Sequence, residues 1–362
     1  MIWMKPADAW NSRAGGSRVP PMNEYTSTST MAGLAERIRA ASHIVVLTHR
    51  KPDGDAIGSA LAIFRALTPA KQVDIHLVGP VGRSLMELAG GTPVTISDEP
   101  PTGEPDLVML VDTGSWAQVG PMSTWLKTQR AAGRVIGLDH HPVGDEIANE
   151  RVIETTAASC TLMVRELLME LGHDIDGGRD GVGEAIFAGL ATDTGWFQHS
   201  NADARCYAVA SDLLQQGVDR IRLHRILELN ASPGKLVLLG RALASIRWEL
   251  DGRCAIMRLT GRDFDDAGTG RQQMEGLVNE PLRVASVEAS ILMYEEESGA
   301  TKISLRSKPP RSSGDPFFDV SAAGRVMGGG GHVHASGARF EGDLDAAQEA
   351  VLAALCSVID DG

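Results

Sequence analysis

The chain lacks paired cysteines, an excess of positive charge and any long hydrophobic run. Its four cysteines (Cys160, Cys206, Cys254 and Cys356) are isolated, which favours buried apolar roles in a reduced cytoplasm. The net charge of −13 repels long duplex nucleic acid, so a nucleotide substrate should be short and held by a local positive site. No apolar run approaches the roughly 20 residues that cross a bilayer, and no signal-peptide segment begins the chain. We therefore expect a cytoplasmic protein without a membrane partner.

The length of 362 residues and the apolar fraction of 43% suit two domains. Residues 1–30 are rich in Pro, Gly, Ser and Thr, and this composition predicts a flexible tail. We predict a first domain over residues 31–222, a linking helix over residues 223–243 and a smaller second domain over residues 244–362.

Short apolar runs alternate with helical segments in the first domain. Such runs are typical of buried parallel strands, and the alternation predicts an α/β fold with a mostly parallel sheet flanked by helices. The runs are Ile44–Leu47, Val73–Val78, Leu107–Val111 and Val135–Leu138.

The second domain has a different pattern. Asp251-Gly252 and Ser298-Gly299 each separate two apolar runs, which predicts two β-hairpins. Helices are predicted over Val320–Met327 and Leu344–Val358. The sequence therefore predicts a smaller, mixed α/β domain.

Side chains that bind metals follow the ends of the apolar runs in the first domain. In an open α/β sheet, ligands bind beyond the carboxyl ends of the strands, so these side chains should converge on one site. Carboxylates and imidazoles can hold two divalent cations, and two cations can cleave a phosphoester. The candidate ligands after these runs are His49, Asp53, Asp55, Asp112 and His140, with Asp139 and His141 beside them. A separate stretch, residues 191–197, adds Asp193 as one more carboxylate.

Each motif also has a simpler structural interpretation. Asp53 or Asp55 could be the N-cap of the following helix, and Asp112 or Asp193 could be a turn residue. The Asp139-His140-His141 triplet could form an exposed polar turn. Successive side chains of an extended segment point in opposite directions, so one histidine could bind a metal while the other contacts phosphate and Asp139 orients a ring. These alternatives stay open at the level of the sequence.

A glycine run followed by a histidine lies near the end of the chain, at Gly328–His332. Consecutive glycines let backbone N–H groups approach a phosphate, although a flexible loop is the common alternative. Lys302, Arg306, Lys308 and Arg311 form a local positive patch upstream, which could equally be a solvated edge strand. Trp196 and Phe197 could stack on a base or simply pack against apolar neighbours.

Together the motifs resemble those of the DHH phosphoesterases that carry a DHH-associated C-terminal domain. The segment from His49 to Ser59 is similar to the first motif of that family, and Val111-Asp112 to the second. Asp139-His140-His141 is the motif that names the family, and Thr192-Asp193-Thr194-Gly195 is similar to the fourth. The run Gly329-Gly330-Gly331-His332 resembles the signature of the associated domain, although the extra Gly328 leaves its register open by one position. The resemblance spans roughly residues 32 to 358.

The resemblance implies a pair of manganese ions. One would be held by His49, Asp53 and Asp112, and the other by Asp55, Asp112, His140 and Asp193, with Asp112 bridging. His141 would contact the scissile phosphate with Asp139 behind it. The other end of the substrate would be bound by Arg306, Gly329, Gly330, Gly331 and His332.

By size and layout the resemblance is greatest to the NrnA-like group. It implies hydrolysis of very short RNA to mononucleotides and removal of the 3′-phosphate of adenosine 3′,5′-bisphosphate, with cyclic di-AMP or its linear product pApA as further substrates. A homodimer is a further expectation. The alternatives are a RecJ-like single-strand DNA exonuclease and a non-catalytic nucleotide-binding regulatory protein. The sequence favours an enzyme because all six metal ligands are present.

Overall fold

The computed structural model describes residues 25–274, 276–310 and 317–358, with the side chain of His332 left out. The chain divides into two compact units, the first ending at Asn230 and the second beginning at Ala231. Each unit contains a six-stranded sheet, which confirms the predicted α/β class. Among the described residues, every helix is too short or too polar to span a lipid bilayer.

The first unit is built on a sheet of six parallel strands. These are β1 (His43–Leu47), β2 (Gln72–Leu77), β3 (Val94–Ile96), β4 (Leu107–Val111), β5 (Val135–Asp139) and β6 (Glu150–Ile153). Their order in the sheet is β3-β2-β1-β4-β5-β6, and every pairing is parallel.

Helices cover both faces of this sheet. They are α1 (Met31–Ala40), α2 (Gly54–Leu67), α3 (Arg83–Ala89), α4 (Trp116–Val119), α5 (Ser123–Ala131), α6 (Cys160–Glu170), α7 (Val182–Asp193), α8 (Ala204–Gln215) and α9 (Arg220–Leu227). Alternate residues of β1 enter different cores, because side chains along a strand point to opposite faces. Ile44 and Val46 pack in the core that contains α2, α6 and α7, whereas Val45 and Leu47 pack in the core that contains α5.

The second unit has a mixed sheet. Its strands are β7 (Arg247–Glu249), β8 (Cys254–Leu259), β9 (Ala289–Glu295), β10 (Thr301–Ser307), β11 (Gly330–His332) and β12 (Ala335–Phe340), in the order β11-β12-β10-β9-β8-β7. Its helices are α10 (Pro233–Ala244), α11 (Gly261–Ala267), α12 (Val320–Val326) and α13 (Leu344–Cys356). The two predicted hairpins are β7–β8 and β9–β10, and β8 pairs with β9 in parallel.

Two segments differ from the sequence-based expectation. The single linking helix expected over residues 223–243 is two helices, because α9 ends at Leu227 and α10 begins at Pro233, where Ser232 supplies an N-cap. Leu238 and Ala242 of α10 pack with Leu259, so this helix belongs to the second unit.

The predicted tail over residues 1–30 also needs correction at its end. Residues 1–24 lie outside the described part of the chain. Residues 25–30 run beside β6, where the N–H groups of Thr28 and Ser29 both donate to the carbonyl oxygen of Arg151. Thr30 then caps α1 by accepting a hydrogen bond from the N–H of Gly33. These hydrogen bonds fix a segment whose composition alone predicts disorder.

Candidate metal centre

The candidate ligands lie at the point where the strand order of the first sheet reverses. After β1, the chain adds β2 and β3 on one side of that strand. It then crosses back and adds β4 on the other side of β1. Ligands of open α/β sheets bind outside the carboxyl ends of the strands at such a switch point. His49 follows β1 and Asp112 follows β4, so the two neighbouring strands deliver both residues to this crevice.

The first motif turns His49 and Asp53 toward Asp112. The Nε2 atom of His49 lies 3.8 Å from Asp53 Oδ1 and 3.6 Å from Asp112 Oδ2. Its Nδ1 atom lies 3.1 Å from the carbonyl oxygen of Arg50. A proton on Nδ1 would be donated to that carbonyl, which leaves the Nε2 lone pair directed at the carboxylates, as in a metal ligand.

Asp53 is also the N-cap of α2. Its Oδ1 atom accepts hydrogen bonds of 3.0 Å from the N–H groups of Asp55 and Ala56. The N-cap interpretation is therefore correct for Asp53. It does not exclude a metal ligand, because an ionised carboxylate has about four acceptor positions.

Asp112 lies at the centre of the cluster and is strained and unsatisfied. Its φ of +56° is in the left-handed region, which is uncommon for residues other than glycine. The residue is buried, and among the described residues its Oδ1 atom has no hydrogen-bond donor. A buried carboxylate oxygen without a partner is costly unless a cation approaches it. This orphaned oxygen is the feature that best fits a bound metal ion.

His140 joins Asp112 to two further carboxylates. Its Nε2 atom lies 3.5 Å from Asp112 Oδ1, 3.8 Å from Asp55 Oδ2 and 3.9 Å from Asp193 Oδ2. Its Nδ1 atom lies 3.1 Å from the carbonyl oxygen of Ala157. His140 therefore repeats the arrangement of His49, with one ring nitrogen on a backbone carbonyl and the other facing the acids.

His141 has a different partner from His140. Its Nδ1 atom lies 2.7 Å from Asp139 Oδ1, and Asp139 is fully buried. The same oxygen accepts the backbone N–H groups of His140 and His141. Asp139 thus contacts the backbone of the turn and one ring nitrogen of His141, which is the kind of contact that can orient a ring.

Close packing of α2 against α7 brings Asp55 and Asp193 into the same cluster. A Cβ atom on Gly58 would lie 2.6 Å from the carbonyl oxygen of Ala185, so only glycine permits this approach. Asp55 also accepts hydrogen bonds of 2.6 Å and 2.9 Å from the N–H groups of Cys160 and Thr161. These donors are at the first turn of α6, where a negative charge is favourable.

The charges in the cluster perturb one another strongly. Burial and repulsion from Asp112 and Asp193 raise the pKa of Asp55 well above its ordinary value. Burial raises the pKa of Asp193 to about 6, although the charge of His140 opposes this. Burial disfavours protonation of the imidazoles, but the nearby carboxylate of Asp112 and the charges of Asp55 and Asp193 raise the pKa of His140 to about 10. Similar interactions with Asp112 and Asp53 raise the pKa of His49 to about 11.

These shifts have one common cause, an excess of negative charge in a buried space. Protons bound to the imidazoles can compensate it, and so can divalent cations, which compete with those protons. Three groups of side chains could each hold a metal ion, because the donor atoms inside each group all lie within 4.8 Å of one another. Donor atoms around one bound ion are typically roughly 3 to 4 Å apart. The groups are His49, Asp53 and Asp112; Asp55, His140 and Asp193; and Asp112, His140 and His141. Mixed carboxylate and imidazole donors suit several divalent metals.

A family model described as "DHH family, N-terminal domain" matches residues 43–190, the part of the chain that carries this cluster. The first unit is similar to a DHH-family domain over these residues, and we call it the DHH domain for that reason. This match agrees with the resemblance of the four short motifs. A match to this family indicates a phosphoric ester hydrolase, and the carboxylate and imidazole groups described above could hold a divalent metal ion.

Two curated relatives and one solved structure resemble the chain over most of its length. The bifunctional oligoribonuclease and PAP phosphatase NrnA of Thermus thermophilus is 29% identical over 325 residues, covering 89% of this chain and 92% of the relative. The protein of the same name from Bacillus subtilis is 25% identical over 299 residues, covering 82% and 88%. An exopolyphosphatase-related protein from Bacteroides fragilis superposes with a TM-score of 0.81 at 26% identity, covering 90% of this chain and 95% of that one.

The second unit carries the other residues singled out in the sequence. Arg306 lies on β10, where it pairs with Ala335 of β12 and Ser290 of β9. Gly329 precedes β11, which contains Gly330, Gly331 and the backbone of His332. The carbonyl oxygen of Gly330 accepts a hydrogen bond of 2.9 Å from Ser336 Oγ. Within the second unit, β12 therefore connects Arg306 with the glycine run.

Two features of the DHH domain escaped the sequence analysis. The backbone donors of Cys160 and Thr161 carry no side-chain signature, so only the position of α6 reveals them. Tyr25 donates a hydrogen bond of 2.8 Å to Asp139 Oδ2, although it lies in the segment that was predicted to be a tail.

Trp196 and Phe197 pack against the apolar core, in agreement with the simpler of their two interpretations.

Proposed function

We propose that this protein hydrolyses very short RNA oligonucleotides to mononucleotides and removes the 3′-phosphate of adenosine 3′,5′-bisphosphate. Cyclic di-AMP and its linear product pApA are the related substrates that the same site would accept. The single observation that carries the proposal is the six-residue cluster at the switch point of the DHH domain. The NrnA relatives support the choice of substrates because the alignments extend over both units.

We propose two metal sites that share Asp112, most favourably for Mn²⁺. The two oxygens of Asp112 support this assignment, because Oδ2 lies beside His49 and Oδ1 beside His140. The first site would use His49, Asp53 and Asp112, and the second Asp55, Asp112, His140 and Asp193. Bound in this way, the ions would activate water and neutralise charge on the phosphoryl oxygens.

His141 is the residue that we assign to the scissile phosphate. The hydrogen bond from Nδ1 to Asp139 fixes its ring, and the protonated ring can then donate through Nε2 to a phosphoryl oxygen as charge develops there. Burial favours the neutral ring, but the hydrogen bond and the charge of Asp139 raise the pKa of His141. Asp139 acts through His141 and does not itself contact the substrate.

We assign the non-scissile end of the substrate to the second unit. Arg306 provides a guanidinium that can hold a phosphate with two hydrogen bonds, and a run of backbone N–H groups can hold another oxygen. The residues proposed for this role are Arg306, Gly329, Gly330, Gly331 and His332.

The remaining expectations stay proposals. A homodimer and the exclusion of long duplexes are predictions from the family resemblance and from the net charge of −13. A cytoplasmic location is consistent with the cysteines, which are all unpaired in the structure.

Purified protein with Mn²⁺ tests the proposal directly. We expect turnover of a diribonucleotide and of adenosine 3′,5′-bisphosphate, little turnover of a long single strand, and no turnover by the Asp112→Asn variant. Preference for long single-stranded DNA would indicate a RecJ-like exonuclease instead. Nucleotide binding without hydrolysis by the native protein would indicate a regulatory protein, and full activity of Asp112→Asn would refute the metal assignment.

A further inference from the structure

Tyr25 is the first residue of the described chain, and it contacts the buried acid of the DHH motif. Its hydroxyl donates to Asp139 Oδ2 at 2.8 Å. The other oxygen of Asp139 already accepts His141 Nδ1 and two backbone N–H groups. The two carboxylate oxygens of Asp139 therefore have different partners. Oδ1 accepts hydrogen bonds from the turn that carries His140 and His141, and Oδ2 accepts one from Tyr25.

The position of Tyr25 is determined by the chain that follows it. Thr28 exchanges hydrogen bonds with Arg151 of β6, through its own N–H at 2.9 Å and its Oγ1 at 3.0 Å. Two residues further along β6, the hydroxyl of Ser27 donates to the carbonyl oxygen of Ile153 and accepts from the N–H of that residue. The guanidinium of Arg151 lies 5.4 Å from the centre of the Tyr25 ring, within the range of a cation–π interaction. Because β6 pairs with β5, this segment is aligned with the strand that ends at Asp139.

Two glycines leave the space that the Tyr25 ring occupies. Gly114 is two residues after Asp112, and a Cβ atom there would overlap the Tyr25 hydroxyl. Gly144 is three residues after His141, and a Cβ atom there would lie 2.5 Å from the Tyr25 ring. The N–H of Asp145 donates to the carbonyl oxygen of Gly114 at 2.6 Å, which joins the two loops. Tyr25 thus lies between the loops that carry the central acid and the DHH histidines.

We propose that Tyr25 is a positioning residue for His141 that acts through Asp139. This inference rests on the phosphoesterase function proposed above. Asp139 is fully buried, so removal of the hydroxyl leaves Oδ2 without the donor that fixes the carboxylate plane. A carboxylate that is free to rotate orients the His141 ring less well. A small displacement of a catalytic group lowers kcat more than it changes KM. His141 lies outside the two ligand sets, so metal affinity should not change.

The Tyr25→Phe variant removes the hydroxyl and keeps the ring. We expect kcat to fall about 10- to 100-fold, as for other residues that orient a functional side chain, while KM and Mn²⁺ affinity stay within about twofold. The matched control is Tyr207→Phe, which also loses a tyrosine hydrogen bond, here of 3.0 Å to the carbonyl oxygen of Phe197. The control should keep the native kcat. A native kcat in Tyr25→Phe, or a parallel loss of Mn²⁺ affinity, would overturn the inference.

A double variant separates positioning from simple stabilisation. If Tyr25 acts through Asp139, then adding Tyr25→Phe to Asp139→Asn should change kcat by less than about twofold. A purely structural role predicts the same factor in both backgrounds. An equal loss in the Asp139→Asn background would therefore exclude the proposed route.

A measurement without turnover keeps this inference separate from the proposed function. Selective ¹⁵N labelling of histidine, with the His141→Gln variant for assignment and Mg²⁺ as the non-paramagnetic ion, reports the His141 Nδ1–H group. We expect a protected signal in the native protein and in Tyr207→Phe, and an exchange-broadened signal in Tyr25→Phe. An unchanged signal in Tyr25→Phe refutes the role of Tyr25. Absence of phosphoester hydrolysis by the native protein refutes only the proposed function.

Discussion

The close approach of α2 and α7 makes Gly58 a sensitive point for both stability and chemistry. A Cβ atom on Gly58 would lie 2.6 Å from the carbonyl oxygen of Ala185 and 3.1 Å from the backbone nitrogen of Gly189. Both atoms belong to the backbone of α7, so no side-chain rotation can relieve the overlap. Asp55 is on α2 and Asp193 is the last residue of α7. A change in the spacing of these helices therefore changes the spacing of two candidate metal ligands.

The expected size of the effect follows from this geometry. Ordinary van der Waals contact begins at 3.4 Å, so the Gly58→Ala variant must separate the helices by roughly 0.8 Å at this point. Overpacking of this kind costs about 1 to 3 kcal/mol, and we expect the upper end because the obstacle is backbone. Alanine returns about 1 kcal/mol through its higher helix propensity. The net loss should be about 2 kcal/mol, and a displacement near 1 Å can cost roughly 100-fold in rate.

Denaturant unfolding of the first unit, Mn²⁺ titration and turnover of a diribonucleotide measure the three consequences. The matched control is Gly91→Ala, in the same unit, because a Cβ atom on Gly91 has no neighbour within 4 Å. We expect the control to be unchanged or slightly more stable, with native turnover. Native stability together with native kcat in Gly58→Ala would show that the helices adjust freely, and would refute the link between their spacing and the site.

Three further predictions concern the metal ions and the substrate. His140→Gln should weaken Mn²⁺ binding, whereas His141→Gln should lower kcat with native Mn²⁺ affinity; calorimetry with kinetics checks both, and equal metal loss would contradict the assignment. Mn²⁺ at about 100 times its Kd should stabilise the first unit by about 2.7 kcal/mol in scanning calorimetry, and Asp112→Asn should abolish this shift. Arg306→Ala should raise KM far more than it lowers kcat, whereas Arg262→Ala, whose side chain is 87% exposed, should change neither; an unchanged KM would exclude Arg306 from substrate binding.

The first unit was largely predictable because its signals are local. The central strands β1, β4 and β5 are nearly continuous apolar runs, and every candidate ligand except Asp193 follows one of them within a few residues. The order of the strands is not local. Nothing in the run His43–Leu47 indicates that it pairs with Gln72–Leu77 on one side and Leu107–Val111 on the other. Convergence of the ligands was predictable from the general rule for open sheets, whereas the switch point between β1 and β4 required the structure.

Asp53 shows why two interpretations of one residue need not compete. Its Oδ1 atom caps α2 and also lies 3.8 Å from His49 Nε2. The cap fixes the carboxylate at the first turn of the helix, and a fixed carboxylate loses less conformational freedom when it binds a cation. The helix N-terminus also favours the negative charge that a ligand needs. The N-cap contact of Asp53 therefore holds its carboxylate in a position and charge state that suit a metal ligand.

The segment from Tyr25 to Thr30 was predicted to be disordered because composition reports only how much apolar surface a segment can bury. It does not report the hydrogen bonds that the segment can make to a distant strand. Its Ser and Thr residues cannot bury enough apolar surface to fix the backbone, and this is the basis for predicting disorder. The edge strand β6, however, presents unpaired backbone groups, and small hydroxyl side chains can bond to them as readily as water does. The partner of this segment is about 125 residues away, so no local window contains the signal. Only after β5 and β6 are aligned does Tyr25 reach Asp139, and its contribution to the site is a property of the tertiary fold alone.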